Sequence, residues 1–287
     1  MTGAMEGLAM DLREVKQLLR DYNLRPDKRL GQNFLVDEAA FQRVLHAAEL
    51  SGDEWVLEIG PGLGGLTRKL AQHAAHVVTV EVDRRFELAL QQVLRSVQNV
   101  RLVWGDILEV DLTTLLGGRD HIVVANIPYN ITSAVMRRLM ESENPAYRVV
   151  LTVQREVADR VVAEAGDMSL LALSVQLYGE ARVAGHIPAG AFYPQPKVDS
   201  SILTIERYKH PRIAPERIDR FFQLARAGFG QKRKKLRNSL ASGLGVSTEV
   251  VETWLQKAGI DPGQRPQQLD FEQWGALTSA SFSLDQS

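Results

Sequence analysis

Between Trp55 and Arg207, short and nearly continuous apolar runs alternate with segments whose apolar positions recur every three or four residues. The runs Trp55–Ile59, Val77–Glu81, Val100–Trp104, His121–Ala125 and Val149–Val153 read as strands, and Leu66–Ala74, Arg84–Ser96 and Ser133–Glu141 as amphipathic helices. Strands that are apolar throughout belong in a mostly parallel sheet covered by helices on both faces. The alternation therefore predicts a doubly wound, Rossmann-like α/β domain, closed by a late strand at Ser200–Glu206.

After Tyr208 the texture changes. Pro211 and Pro215 mark a linker, and Glu216–Ala227, Lys232–Ser242, Thr248–Ala258 and Asp270–Phe282 carry helical periodicity punctuated by Gly and Pro. Ahead of the sheet, Met10–Asp21 reads as an amphipathic helix that leads into the basic, glycine-bearing stretch Arg25–Leu35. The expected division is 1–207, an α/β domain with an N-terminal helical extension, and 208–287, a small all-helical domain.

Composition narrows the class. The 287 residues are 45% hydrophobic and 24% charged, the balance of an ordinary globular protein. No run of eighteen apolar residues is present, and the N-terminus, with Glu6, Asp11 and Glu14, lacks a signal-peptide pattern. The absence of cysteine excludes disulfides and thiolate chemistry, and the six histidines show no metal-binding spacing. A cytoplasmic protein with no metal and no membrane partner is expected. The net charge of −1 gives no general affinity for polyanions. Its distribution does: no carboxylate lies between Asp219 and Glu249, a window holding Arg226, Lys232, Arg233, Lys234, Lys235 and Arg237. Such a cluster is an electrostatic footprint for a phosphate backbone, or else a solvated helix face.

The candidate chemistry gathers at strand ends. Leu57-Glu-Ile-Gly60-Pro-Gly62-Leu-Gly-Gly65 is a strand, a glycine loop and a helix start, and Glu81 ends the next strand, where a carboxylate can bind ribose hydroxyls. The glycines alone fit either a dinucleotide or S-adenosylmethionine. Other residues separate the two. Glu58 inside the glycine-loop strand would repel a pyrophosphate but suits a cofactor carrying ammonium and sulfonium charges. Asp106, after the third strand, can accept from an adenine amine. The fourth strand delivers Asn126-Ile-Pro128-Tyr129, in which the Asn126 side chain and the Pro128 carbonyl offer two acceptors to an exocyclic amine. Tyr129 supplies a face on which a planar base can stack. S-adenosylmethionine is the expected cofactor.

With these residues the chain resembles the KsgA/RsmA family of small-subunit rRNA adenine N6-dimethyltransferases. The resemblance runs from about Leu24 into the C-terminal region, on Leu30-Gly-Gln-Asn-Phe-Leu-Val-Asp37, Leu57–Gly64, Val80-Glu-Val-Asp83, Gly105-Asp106, Asn126–Asn130, Gln154–Ala158, Phe192–Ser200 and Gly230–Leu240. It implies methyl transfer to two neighbouring adenosines near the 3′ end of 16S rRNA, within the small ribosomal subunit or its precursor, by a monomeric enzyme. Gln32, Asn33 and Leu35 would close the cofactor pocket, and Glu58, Gly60, Gly62, Glu81, Asp106 and Asn126 would hold the cofactor. Asn126 and Pro128 would bind the target amine, with Tyr129 and Phe192 on either side of the base. Lys232, Arg233, Lys234, Lys235 and Arg237 would grip rRNA phosphates. One segment departs from the family pattern: Ala165–Val175 lacks the Lys and Tyr usual there, and is expected to form a substrate-facing loop with altered RNA contacts. The alternatives are a 23S rRNA adenine methyltransferase of the macrolide-resistance type, a ribosome-assembly factor acting mainly by binding and, more distantly, an NAD-dependent dehydrogenase.

Overall fold

The computed structural model describes residues 10–282 apart from Lys232 and the side chain of Lys28. In chain order it contains α1 (Leu12–Asp21), β1 (Phe34–Leu35), α2 (Glu38–Ala48), β2 (Trp55–Ile59), α3 (Gly65–His73), β3 (His76–Glu81), α4 (Glu87–Val93), β4 (Val100–Trp104), α5 (Leu112–Leu116), β5 (Ile122–Asn126), α6 (Thr132–Met140) and β6 (Arg148–Gln154). There follow α7 (Arg155–Val161), α8 (Leu170–Gln176), β7 (Gly179–Ile187), β8 (Phe192–Tyr193), β9 (Ser200–Arg207) and the helices α9 (Ile218–Phe229), α10 (Leu236–Leu244), α11 (Thr248–Lys257) and α12 (Phe271–Phe282).

Seven strands form one sheet in the order β4-β3-β2-β5-β6-β9-β7. The pairs β4/β3, β3/β2, β2/β5 and β5/β6 are parallel, and β9 runs antiparallel to β6. Val56, Leu57, Val123, Val124 and Leu151 on the central strands are fully buried, as continuous apolar strands between two helical layers must be. Parallel pairing has a geometric consequence. The C-terminal residues Ile59, Glu81, Trp104 and Asn126 all arrive at one edge of the sheet, where ligands bind in open α/β folds.

Helix starts follow local side-chain chemistry. Asp11 accepts the Glu14 N–H at 2.8 Å to cap α1, and Asp37 accepts the Ala40 N–H at 2.7 Å to cap α2. A second small sheet pairs β1 with β8, matching Phe34 to Tyr193 and Leu35 to Phe192.

The chain divides into two compact units, residues up to 158 with 182–207, and 159–181 with 208–287. The sequence boundary at 207/208 differs from this because the second unit is discontinuous. Ser169 caps α8 through the Ala172 N–H, and Leu171, Ala172, Leu173, Ser174 and Val175 are buried. Gly166 and Met168 donate their N–H groups to the Gln267 carbonyl. The Leu170–Val175 half of the atypical segment is therefore a packed helix of the second unit, with Leu171 and Leu173 in its core, while Ala165–Asp167 form an exposed turn as expected of a loop. A boundary drawn by composition cannot register two distant segments that share one core.

Two expected helices are also revised. Arg84–Ser96 splits into a 3₁₀ turn at Arg84–Phe86 and the shorter α4. The helix expected from Lys232 begins only at Leu236, so Arg233, Lys234 and Lys235 sit in the preceding turn, while Lys232 lies outside the described residues. No helix among the described residues is long and apolar enough to cross a membrane.

In the second unit Phe221, Trp254 and Trp274 are buried, and α10 packs closely on α9. A Cβ on Gly243 would stand 2.7 Å from Ala227 Cβ and 2.9 Å from Ala227 Cα. The obstacle includes backbone, so no rotamer change relieves it. In Gly243→Ala the gain in helix propensity, about 1 kcal/mol, is outweighed by overpacking of roughly 1–3 kcal/mol. Urea unfolding is expected to show a net loss of stability; a gain would mean that the helices separate without cost.

Candidate active site

The C-terminal edge of β2, β3, β4 and β5 borders one cleft, which the stretch Leu30–Leu35 and Met10 also line. The glycine loop needs its glycines for different reasons. Gly60 and Gly62 adopt φ of +69° and +56°, and a Cβ on Gly62 would lie 3.0 Å from the Phe34 ring. Gly31 has φ +63° and faces Pro128, whose Cβ would stand 3.0 Å from an added methyl group. That close approach seats the N-terminal stretch against the Asn126–Tyr129 segment.

Two carboxylates are buried at this edge. Glu58 is 1% exposed, and its Oε2 accepts the Thr67 hydroxyl at 2.7 Å. Burial, opposed by hydrogen bonding and augmented by the neighbouring Glu81 charge, pushes its pKa up to about 7. Burial likewise raises the Glu81 pKa against the stabilising bonds from backbone N–H groups. The Glu81 carboxylate accepts the Gly62 N–H at 3.0 Å and the Asp83 N–H at 2.8 Å. It thereby joins the end of β3 to the glycine loop. Asp106 is exposed at the lip and accepts the Leu108 N–H at 2.9 Å. Its predecessor must be small, because a Cβ on Gly105 would meet Val110 at 2.9 Å.

Asn126 lines the cleft and donates from Nδ2 to the Asn33 carbonyl at 3.0 Å, which leaves its Oδ1 as an available acceptor. Tyr129 is half-buried, its hydroxyl shares a 2.8 Å hydrogen bond with Ser200 Oγ, and burial raises its pKa. The Pro128 carbonyl accepts the Ile131 N–H and the Thr132 hydroxyl, both at 3.2 Å.

Gln32 does not present its amide freely to the cleft. Its Nε2 donates to Asp83 Oδ2 at 2.8 Å and its Oε1 accepts the Asp27 N–H at 2.8 Å. Arg85 pairs with both oxygens of this largely buried carboxylate, including the Oδ2 that takes the Gln32 amide. Asp83, Thr67, Gly31 and Ser200 thus contact the candidate residues, and sequence reasoning left them without roles. Asp83 carried a signal, since an acid two residues after Glu81 at a strand end calls for a partner.

Phe192 is placed differently from its expected position beside a bound base. It is 3% exposed and packed in the core with Leu35, Phe41 and Val44, because its pairing with Leu35 turns it inward. It supports Leu35, which lines the cleft, and does not line the cleft itself. In the second unit Arg233, Lys234 and Lys235 are exposed, whereas Arg237 is ion-paired with Glu252.

Comparison with known proteins identifies the arrangement. Residues 23–280 match the family model for ribosomal RNA adenine dimethylase. The chain belongs to this family. It is 41% identical to the ribosomal RNA small subunit methyltransferase A of Dehalococcoides mccartyi, over 96% of this chain and 94% of that protein. It is 38% identical to the protein of the same name from Geobacillus thermodenitrificans, covering 94% and 95% of the two chains. Among solved structures it is similar to the 23S rRNA methyltransferase ErmE, with a TM-score of 0.71 and 29% identity, covering 87% of this chain and all of that one. The protein is an rRNA adenine dimethyltransferase, of a family that uses S-adenosylmethionine. The Rossmann-like class expected from the strand–helix alternation holds, and a dehydrogenase does not.

The raised pKa of Glu58 makes a stability prediction. Folded, the group holds its proton up to about pH 7; unfolded, it releases it near pH 4.3. Folding thus takes up a proton between those values, so stability from this group falls as pH rises through the window and levels off above it. Glu58→Gln removes the dependence. In cofactor-free protein its stability relative to wild type is expected to improve by roughly 1–3 kcal/mol between pH 5 and pH 8. Urea unfolding at the two values measures this, and an unchanged difference would contradict it.

Proposed function

We propose that the protein transfers methyl groups from S-adenosylmethionine to N6 of two adjacent adenosines near the 3′ end of 16S rRNA, in the small subunit or its precursor. The observation that carries the reading is the convergence of Asn126 Oδ1 and Tyr129 with the buried acids Glu58 and Glu81 on one cleft, in a chain similar over nearly its whole length to small-subunit methyltransferases.

The donor set fits the cofactor. A buried carboxyl whose pKa stands at about 7 becomes an anion readily when a cation is brought beside it, and Glu58 is such a group facing the cleft. Glu81, steadied by two backbone N–H groups, retains lone pairs for ribose hydroxyls, and Asp106 at the lip suits an adenine amine. Asn33, Leu35 and the glycine loop would enclose the remainder. When bound, S-adenosylmethionine supplies an electrophilic methyl group on a sulfonium.

This chain's residues handle the nucleophile. The lone pair of adenine N6 is delocalised into the ring. Asn126 Oδ1 accepts one amine hydrogen, and the Pro128 carbonyl accepts the other once the Thr132 hydroxyl turns aside. Together they rotate the lone pair out of conjugation and toward the methyl, so that catalysis is mainly positioning. The target base must leave its stack to enter, and the Tyr129 ring, anchored by Ser200, offers it a replacement surface. The amine gives up one proton to solvent at each transfer, and the monomethylated amine keeps one hydrogen, which one of the two acceptors can hold for a second transfer. In the second unit Arg233, Lys234 and Lys235 would hold rRNA phosphates without reading sequence.

The direct test is methyl transfer from labelled S-adenosylmethionine to undermethylated small subunits, large subunits and free 23S rRNA in parallel. Dimethyladenosine confined to the 3′ end of small-subunit rRNA is expected; label in 23S rRNA would instead assign the resistance-type activity. Tyr129→Ala is expected to lower kcat by about 100-fold or more while subunit binding persists. Full methylation by this variant would remove Tyr129 from the site. Replacing Arg233, Lys234 and Lys235 by Ala should make the salt dependence of subunit binding shallower by about 2 in log–log slope. An unaltered slope would take the turn out of the interface.

A further inference from the structure

Outside the cleft, the first unit carries a second recess, lined by Lys16, Arg20 and Leu24 with the neighbouring Arg25 and Pro26, and by Tyr193. Its charge is one-sided. Arg13, Lys16 and Arg20 recur at helical spacing on the exposed face of α1, opposite the buried Val15, Leu18 and Leu19, and Arg25 is exposed beside them. None of these four cations has an ion-pair partner among the described residues, in a protein whose 34 basic and 35 acidic residues otherwise nearly cancel.

Among the described residues no acid lines the recess, and those nearby are held elsewhere. Asp11 caps α1, Glu14 pairs with Arg68 at 3.0 Å, and Asp21 accepts the Gln17 amide. An aromatic face stands among the cations, with Lys16 Nζ 5.4 Å from the centroid of the Tyr193 ring. Unneutralised cations interleaved with an aromatic ring are the chemistry that holds single-stranded nucleic acid, phosphates on the charges and a base on the ring. The recess also adjoins the cleft: Tyr193 pairs in β8 with Phe34 of β1, and Phe34 lines the cleft.

We infer that the α1 face and Tyr193 form a binding surface for single-stranded RNA, taking the nucleotides that flank the target adenosine. This rests on the rRNA-methylating function proposed above and adds a contact distinct from the basic turn at Arg233–Lys235. The three α1 cations precede residue 23, where the match to the family model begins. The geometry gives the surface a simple task. A base drawn into the cleft leaves its neighbours unstacked, and a cationic, aromatic ledge beside the entrance receives them.

The test uses the full chain and a fluorescent single-stranded RNA of about 12 nucleotides, followed by anisotropy over a range of salt. In Lys16→Gln/Arg20→Gln the log–log salt slope is expected to become shallower by about 1.4, two single-strand phosphate contacts having been lost. Tyr193→Leu should weaken binding by roughly 5- to 100-fold through loss of stacking. Affinity for S-adenosylmethionine, measured by calorimetry on the same variants, should stay at the wild-type value and reports that the fold is intact. Wild-type slope and affinity in both variants would overturn the proposal, as would failure of the wild-type protein to bind the RNA. Methyl transfer to small subunits is measured alongside. If the RNA contacts behave as expected and no methyl is transferred, the surface stands and the proposed function falls.

Discussion

The Glu81 carboxylate is the hinge of this site. It ends β3 in a nearly dry position, accepts one N–H from the glycine loop and another from Asp83, and so locks two chain segments to the same strand end. Asp83, held by that bond, receives the Gln32 amide, and Gln32 in turn receives the Asp27 N–H. A single hydrogen-bonded relay thus runs from the sheet edge to the N-terminal stretch across the cleft. Removing Glu81 leaves the Gly62 and Asp83 N–H groups without this acceptor, at a cost larger than the net value of a bond itself.

The relay explains why the cleft can tolerate acids in an apolar wall. Burial drives the carboxylates toward their neutral forms and so raises the pKa values of Glu58 and Glu81. Backbone donors and the Thr67 hydroxyl limit that rise without cancelling it. Carboxylates so placed favour a positively charged ligand over an anionic one of similar shape.

Some functional residues behave otherwise than a linear reading implies. Phe192 shares its segment with Tyr193 and Ser200, yet alternation along β8 sends Phe192 into the core while Tyr193 faces the α1 recess. Arg237 belongs to a basic run by composition but is neutralised by Glu252, fifteen residues on. Its neighbours Arg233 to Lys235 lie in the exposed turn before α10 and have no ion pair among the described residues. Leu171 and Leu173 of the Ala165–Val175 segment mark burial, although the turn before them is exposed.

Much was legible from the residues alone. Apolar strand runs, glycines at a strand end and the Asn126–Tyr129 tetrad are local patterns, and local sterics and parallel-sheet topology carry them to one edge without further information. Glu58, Glu81, Asp106 and Asn126 were readable for the same reason: each stands at or near the end of a strand whose place in the sheet is implied by the alternation. The pairings between distant segments came from the folded chain alone. The latch of Gln32 on Asp83, the anchoring of Tyr129 by Ser200, the inward turn of Phe192 and the joining of 159–181 to the C-terminal helices bridge dozens of residues. No periodicity encodes such contacts, because they are set by which elements share a core and which buried polar groups must find partners there.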